Sequence, residues 1–192
     1  VPQIKSAAVD RVLPDTLRIR VSERNPAAQV ALYRQSANGK LELKIFLVDQ
    51  HGFVMEPLNP KLAIKKRIKK KLPFLVGINQ ADLLPGRSIK STQVHAALQL
   101  ISCFDRSPMG GSALIWYIDI TGRGETMKVK TWQNATVRLY LHGLDRQLVR
   151  WHQIFDWGRK RNRAIRTLDL SIKNNLPVTW MLAPALPSRT TN

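Results

Sequence analysis

The chain has 192 residues, of which 44% are hydrophobic, and it carries 31 Lys and Arg against 13 Asp and Glu. This length and composition predict a folded protein of one large or two small domains and argue against a disordered chain. The formal net charge of +18 favours polyanionic partners, either nucleic acid or an anionic membrane face, and carries no information on the fold.

The sequence contains no run of 18 apolar residues, so no segment is predicted to span a membrane. The single cysteine, Cys103, excludes an internal disulfide and a cysteine metal cluster. The chain begins Val-Pro-Gln-Ile, with neither an initiator methionine nor a signal peptide. We therefore expect a processed or excised fragment, with any export signal or membrane anchor upstream of it.

The N-terminal part alternates apolar and polar side chains over residues 8–13 and 16–23, around a turn at Pro14. This pattern predicts a β-hairpin with one buried face. The residues that follow, 27–34, are an apolar connection whose type the pattern leaves open.

A dozen residues of this hairpin region stand in the order and spacing of a longer motif that ends P-D-T-L-x-I-x-V-x-E-R-x-P-x-A. They are Ala8, Arg11, Pro14, Asp15, Thr16, Leu17, Ile19, Val21, Glu23, Arg24, Pro26 and Ala28. The segment resembles the end of the POTRA domain in the FtsQ/DivIB family of bacterial division proteins. The resemblance implies that residues 1–35 are the C-terminal part of a POTRA-type domain that is incomplete in this chain.

Two strands are predicted next, over residues 41–48 and 53–55, joined by a turn at 49–52. The phrases LVDQHGFVM and LPFLVG are similar to segments that follow POTRA in the same family. Between them lies a strongly basic run in which Ile64, Ile68 and Leu72 recur every four residues, as in a short helix with one apolar stripe.

The basic run has three interpretations: a solvated face, a contact with anionic lipid headgroups, and a contact with nucleic acid. A solvated face is the commonest role of such runs, and the nucleic-acid interpretation ranks third because no aromatic residue interleaves the charges. The candidate residues for an anionic surface are Lys65, Lys66, Arg67, Lys69, Lys70 and Lys71.

The middle of the chain predicts a helix that Ser91 caps, with a stripe at Val94, Ala97, Leu98 and Ile101. Three strands follow as a β-meander, over residues 113–120, 126–132 and 136–141.

A second helix is predicted from the spacing of Leu144, Leu148, Trp151 and Phe155. Asp145 lies in its first turn and Gly158 follows its last turn. Residues 159–166 then form a basic connector.

The end of the chain, residues 168–187, predicts a β-hairpin whose second strand is the last ordered element. The Pro/Ala tail after it cannot pair, so this strand is expected at a sheet edge. An open edge offers unused N–H and C=O groups to another chain.

The same stretch, TLDLSIKNNLPVTWMLAPALP, is similar to the closing segment of FtsQ. The resemblance implies an FtsQ-like β domain over residues 41–187 and a tail at 188–192. The implied partner-binding residues are Ile172, Asn174, Val178 and Trp180. The chain departs from the family pattern at Ser171-Ile172, where the family has Arg-Tyr, and at Pro177.

Members of this family are not enzymes. One helix anchors them in the bacterial cytoplasmic (inner) membrane, and their POTRA and β domains lie on its periplasmic side. There they act as scaffolds of the division machinery, and FtsB/FtsL-like partners add a strand to the sheet edge. The resemblance implies the same membrane association for this protein, through a helix upstream of the chain.

Catalytic patterns are absent from the sequence. The four histidines lack metal-site spacing, no nucleophile elbow or P-loop occurs, and the two carboxylates near one turn, Asp119 and Glu125, suit the turn itself. Trp116, Trp132, Trp151 and Trp157 suit core or half-buried packing. No enzyme activity, cofactor, metal or small-molecule substrate is predicted.

These observations predict an α+β protein, with a POTRA remnant hairpin followed by a mostly antiparallel β domain with two main helices. The predicted function is a non-enzymatic scaffold that binds division proteins through its C-terminal strand. The alternative is a basic nucleic-acid-binding module, whose affinity would fall steeply with salt.

Overall fold

A computed structural model describes residues 2–35, 38–56, 72–122, 124–172 and 176–182. The chain divides into two compact units, residues 1–101 and 102–192. Across the described ranges, none of the helices has the length and apolar character needed to cross a membrane.

The first unit begins with an antiparallel hairpin of β1 (Ile4–Val12) and β2 (Thr16–Glu23). The hairpin itself was predicted, but its buried face was not found. Leu17, Ile19 and Val21 all point to one side, yet each is 54–65% exposed. Two strands alone have no third layer to cover their apolar side, which is why alternation in the sequence did not lead to burial here.

The sheet of the first unit has the order β5-β3-β4. Its strands are β3 (Pro26–Gln35), β4 (Leu41–Asp49) and β5 (Phe74–Val76). The connection left open at 27–34 is therefore strand β3, which pairs with β4 along its length and buries Ala28 and Val30. The predicted turn at 49–52 is present, since Gly52 N–H donates to the Asp49 carbonyl at 3.0 Å. The sequence predicts a boundary between residues 35 and 41, where the POTRA-type segment ends and the FtsQ-like β domain begins. The β3–β4 hairpin spans this position, and the boundary remains a prediction.

Arg24 connects the β1–β2 hairpin to the β3–β4 sheet. Its backbone N–H donates to the Gln3 carbonyl at 2.8 Å, and its guanidinium Nη1 donates to Asp49 Oδ2 at 2.8 Å. The guanidinium also lies 3.5 Å from the centroid of the Phe53 ring. Asp49 is buried and accepts the backbone N–H groups of His51 and Phe53 at its other oxygen, so both partners of the ion pair are held in place.

The basic run lies outside the described residues, together with the predicted helix around it and the six candidate side chains Lys65, Lys66, Arg67, Lys69, Lys70 and Lys71. The next predicted helix is confirmed as α1 (Thr92–Arg106). Ser91 caps it, because its Oγ accepts the N–H of Val94 at 3.4 Å.

The second unit carries five strands in the order β6-β7-β8-β9-β10. They are β6 (Ile115–Asp119), β7 (Thr126–Thr131), β8 (Thr136–Tyr140), β9 (Arg163–Asp169) and β10 (Val178–Leu182), with helix α2 (Leu144–Arg159) between β8 and β9. The predicted meander, helix and final hairpin are all present. The connector expected at 159–166 was too long, because β9 already begins within it.

The α+β prediction is confirmed, with two helices and ten mostly antiparallel strands in the described part of the chain. The parallel pair β8–β9 is an exception that follows from helix α2, since a helix between two strands lets both run in one direction.

Helix α2 packs through Leu144, Leu148 and Trp151, all of them buried, and Trp151 meets Phe104 with ring centroids 5.4 Å apart. The helix is also held by a buried amide. Gln147 Oε1 accepts the backbone N–H of Tyr140 at 2.8 Å, and its Nε2 donates to the carbonyl of His142 at 2.7 Å. These bonds satisfy the polar groups of β8 where that strand ends.

The Arg24–Asp49 pair predicts a strong effect of Arg24→Ala on stability. Removing the guanidinium leaves a buried carboxylate without its cation, so we expect the free energy of unfolding to fall by about 3–5 kcal/mol. Arg20→Ala is the matched control in the same unit, because Arg20 pairs with Asp10 in a solvent-exposed ion pair. That control should cost at most about 1 kcal/mol. Urea unfolding of both variants measures the difference, and equal losses would contradict the role given to Arg24.

Candidate partner-binding edge

Strand β10 forms one edge of the sheet, and among the described residues only β9 pairs with it. The N–H of Asp169 donates to the Pro177 carbonyl at 3.0 Å, which fixes the alternation of the ladder. Backbone groups of successive residues in a strand point to opposite sides, so Thr179 bonds toward β9 and Val178 points outward. The ladder has a bulge between Thr179 and Trp180, where Arg166 of β9 is the extra residue. No residue of β10 is skipped, so the alternation along β10 continues and Trp180 also directs its backbone N–H and C=O outward.

Pro177 departs from the family pattern but removes no hydrogen-bond donor from the outer side of this edge. Its carbonyl is bonded to β9, so its nitrogen also lies on the β9 side of the strand. The N–H that proline lacks would therefore have pointed into the sheet. The outward donors of Val178 and Trp180 are unaffected.

The side chains of Val178 and Trp180 turn toward helix α2. The indoles of Trp157 and Trp180 are in contact, with centroids 5.2 Å apart and planes tilted by 35°. Beside them an open apolar cleft of about 340 Å³ runs along the edge strand. The cleft is lined by Gln153, Ile154, Trp157, Leu176, Val178 and Trp180.

Gly158 sets the distance between β10 and α2. A Cβ atom at this position would lie 2.4 Å from Cζ3 of Trp180 and 2.8 Å from the Arg163 carbonyl oxygen. No real Cβ contact is that short, so only glycine lets the indole lie against the helix backbone. The sequence had indicated Gly158 as the end of the helix, but α2 continues through it to Arg159.

The cleft carries positive charge on one side. The Arg161 guanidinium lies 4.1 Å from the centroid of the Trp157 ring, and its Nη1 donates to the Trp157 carbonyl at 3.4 Å. Arg159 and Arg163, both exposed, precede and follow the turn at residues 160–162. Strand β10 itself has no charged residue, so the charge around this edge favours an apolar segment flanked by carboxylates.

The four residues that sequence reasoning proposed for partner binding are placed as follows. Val178 and Trp180 lie together on β10 and line the cleft. Ile172 is exposed after the end of β9, and Asn174 lies outside the described residues. Sequence reasoning missed Gln153, Ile154 and Trp157 as lining residues. The available signal was Gly158, since a glycine in a helical pattern often marks a close approach of another chain segment.

In the described part of the chain, no three His, Cys, Asp or Glu side chains are grouped so that they could hold a metal ion. Burial raises the pKa of the Cys103 thiol, and the hydrogen bond to Asp145 adds to the effect, so the thiol stays protonated and weakly nucleophilic. Asp119 stabilises the turn that follows β6, since its Oδ1 accepts hydrogen bonds from the N–H and the hydroxyl of Thr121.

The chain is similar to "Cell division protein FtsQ" of Koribacter versatilis (strain Ellin345), with 26% identity over 120 residues. The matched region is 62% of this chain and 30% of that protein, so the chain spans about a third of its relative. No protein-family model matches the chain.

The Gly158–Trp180 contact predicts the outcome of Gly158→Ala. The added methyl group must displace the indole or the β9 backbone, so we expect the free energy of unfolding to fall by about 1–3 kcal/mol. Gly111→Ala in the same unit is the control, because a Cβ there meets no atom within 4 Å. Thermal unfolding of the two variants measures the effect. Equal stability of both would show that β10 is not held by this contact.

Proposed function

We propose that this chain is the extracytoplasmic scaffold region of a bacterial cell-division protein, and that it recruits a division partner through the outer edge of β10. The observation that carries the proposal is the row of outward backbone groups on β10, beside an apolar cleft. The similarity to FtsQ supports the cell-division role in general. It also supports a non-enzymatic function and a position outside the cytoplasmic membrane.

The proposed partner is an FtsB/FtsL-like protein that adds a strand to the sheet. Val178 and Trp180 together offer two N–H and two C=O groups to such a strand. At about 0.5–1.5 kcal/mol for each net hydrogen bond, these four groups contribute about 2–6 kcal/mol before the entropic cost of association. This part of the binding energy does not depend on the partner's side chains.

The cleft supplies the selective part of the interaction. An apolar side chain of the partner that enters between Trp157 and Val178 would gain about 1.5–3 kcal/mol from burial. Residues beside it that carry a carboxylate would face Arg159 or Arg161 at the rim. Ile172 and Asn174, which the family resemblance implies as contacts, belong to the same proposed surface.

Val178→Pro tests the edge directly. Proline removes an N–H that points away from β9, so the sheet should keep its own hydrogen bonds while the partner's strand loses one. We expect the affinity for a co-purified FtsB-like partner to fall at least tenfold, which corresponds to about 1.4 kcal/mol. The melting temperature should fall no further than in Val178→Ala, which loses the same side-chain contacts. Calorimetric titration of the partner into each variant measures the affinity.

Val178→Ala is the matched control, since it trims the side chain and keeps the N–H. A smaller loss in Val178→Ala than in Val178→Pro supports strand addition. Full binding by the folded Val178→Pro variant would exclude it. If both variants lose binding equally, the partner contacts the cleft through side chains alone.

A further inference from the structure

Strand β4 is the outermost strand of the sheet in the first unit, and it pairs along its length with β3. On its outer side, residues 53–55 cover the C-terminal end, where the Met55 N–H donates to the Leu47 carbonyl at 2.8 Å. Among the described residues, no hydrogen bond reaches the outer side of residues 41–45. This stretch is therefore an open sheet edge, and we call it the β4 edge.

Hydrogen bonds on both sides of the sheet determine which backbone groups of the β4 edge point outward. The Leu47 carbonyl bonds to residue 55, so Leu47 points away from β3. Gln29, which lies opposite Leu47, agrees with this, because its N–H donates to the Pro73 carbonyl on the far side of β3 at 2.9 Å. The β3–β4 register skips no residue of β4, so the alternation continues to the start of the strand. The residues of the β4 edge with outward N–H and C=O groups are Leu41, Leu43 and Ile45.

A second copy of the chain fits this edge in an antiparallel register. A twofold axis at Leu43 pairs Leu43 with its own copy, and it pairs Leu41 with Ile45 of the other copy. These are hydrogen-bonded pairs, and each of them exchanges two N–H···O bonds. The paired length matches the open length, because Gly39 of the second copy would already lie opposite Leu47, whose outer side is covered.

The charges of the β4 edge select this register. Glu42 and Lys44 lie on one face of the strand, and the axis at Leu43 places Glu42 of each copy opposite Lys44 of the other. Their Cβ atoms would be about 4.5–5.5 Å apart, as in other directly opposed pairs. An axis at Glu42 or at Lys44 would instead oppose like charges, which is destabilising. The β4 edge is therefore complementary to itself.

Exposed apolar side chains lie on the other face of the same strands. Leu41 is 72% exposed and Leu43 is 47% exposed. Tyr33, which pairs with Leu43 on β3, is 66% exposed. In the paired arrangement the two leucines at position 43 would meet between the two tyrosines, in one row across four strands. This contact removes apolar area from water and adds to the backbone hydrogen bonds.

We propose that two copies of this chain associate through their β4 edges into a twofold dimer with a continuous sheet. Edge strands are commonly protected by a proline, a bulge or an unmatched lysine. The β4 edge contains no proline and no bulge, and its lysine is matched by Glu42 of the second copy. The proposal concerns the first unit and none of the residues of the β10 edge, so it is independent of the proposed function.

The net charge of +18 opposes self-association. At physiological salt the screening length is about 8 Å, so only the charges close to the interface contribute strongly. Besides the matched pair these are Lys40, at the end of the edge, and Arg34 on β3. Arg34 is directed inward, since its Nη2 donates to the Leu83 carbonyl at 3.4 Å and its guanidinium lies 5.1 Å from the Phe46 ring centroid.

Exchange of the two charges tests the register. Glu42→Lys alone opposes two lysines and Lys44→Glu alone opposes two glutamates. In each we expect the dissociation constant of the dimer to rise about tenfold or more. An equal mixture of the two variants should restore the dimer, because every lysine then faces a glutamate. Both changes in one chain should preserve it for the same reason. Sedimentation equilibrium of the full chain measures association, and circular dichroism checks the fold.

Restored association in the mixture supports the proposal, since both variants remain strongly basic and net charge does not attract them to each other. Unchanged dimers in both single variants would overturn it, and so would a mixture of folded variants that stays monomeric. A wild-type chain that is monomeric at about 0.15 M salt and ~0.2 mM protein would overturn it as well. Val178→Pro should keep the dimer, and its loss there would assign the contact to β10 instead.

Discussion

The packing of Trp180 against the backbone at Gly158 determines where the last strand of the sheet lies. The indole occupies the space that any Cβ atom at position 158 would need, and it stacks beside Trp157. Because the side chains of Val178 and Trp180 pack toward helix α2, the helix holds β10 against the sheet. The backbone groups of β10 can therefore stay open on the outer side of the strand. An edge strand without such an anchor would be at greater risk of fraying or aggregation.

This contact also separates the part of β10 that stabilises the fold from the part that is open to a partner. The side chains of Val178 and Trp180 contribute to the fold and to the cleft, so their truncation affects stability and binding at once. Their backbone groups contribute only to the outer edge. The alternation that starts at the Asp169–Pro177 hydrogen bond makes the distinction possible, because it assigns each N–H of β10 to one side of the strand.

Sequence reasoning predicted the elements whose periodicity is strong and local, including helix α2, the meander and the final hairpin. It left the type of strand β3 open, because Ala28 and Val30 are buried among residues whose pattern alone does not separate a strand from a loop. It also expected burial for Ile19 and its neighbours, where alternation specifies a face but not what covers it. Of the site, Val178 and Trp180 were identified. The role of Trp157 depends on the contact between helix and strand, for which Gly158 within the helical pattern was the one local signal.

The nature of the proposed interface bears on the low identity with FtsQ. Strand addition is mediated mainly by backbone groups, which every residue except proline supplies. A substitution such as Ser171-Ile172 for Arg-Tyr therefore alters side-chain contacts beside the edge and leaves its hydrogen-bonding capacity intact. Pro177 obeys the same rule, since the group that it lacks faces β9. An interface of this kind tolerates sequence change along the strand and concentrates its selectivity in the few positions around the cleft.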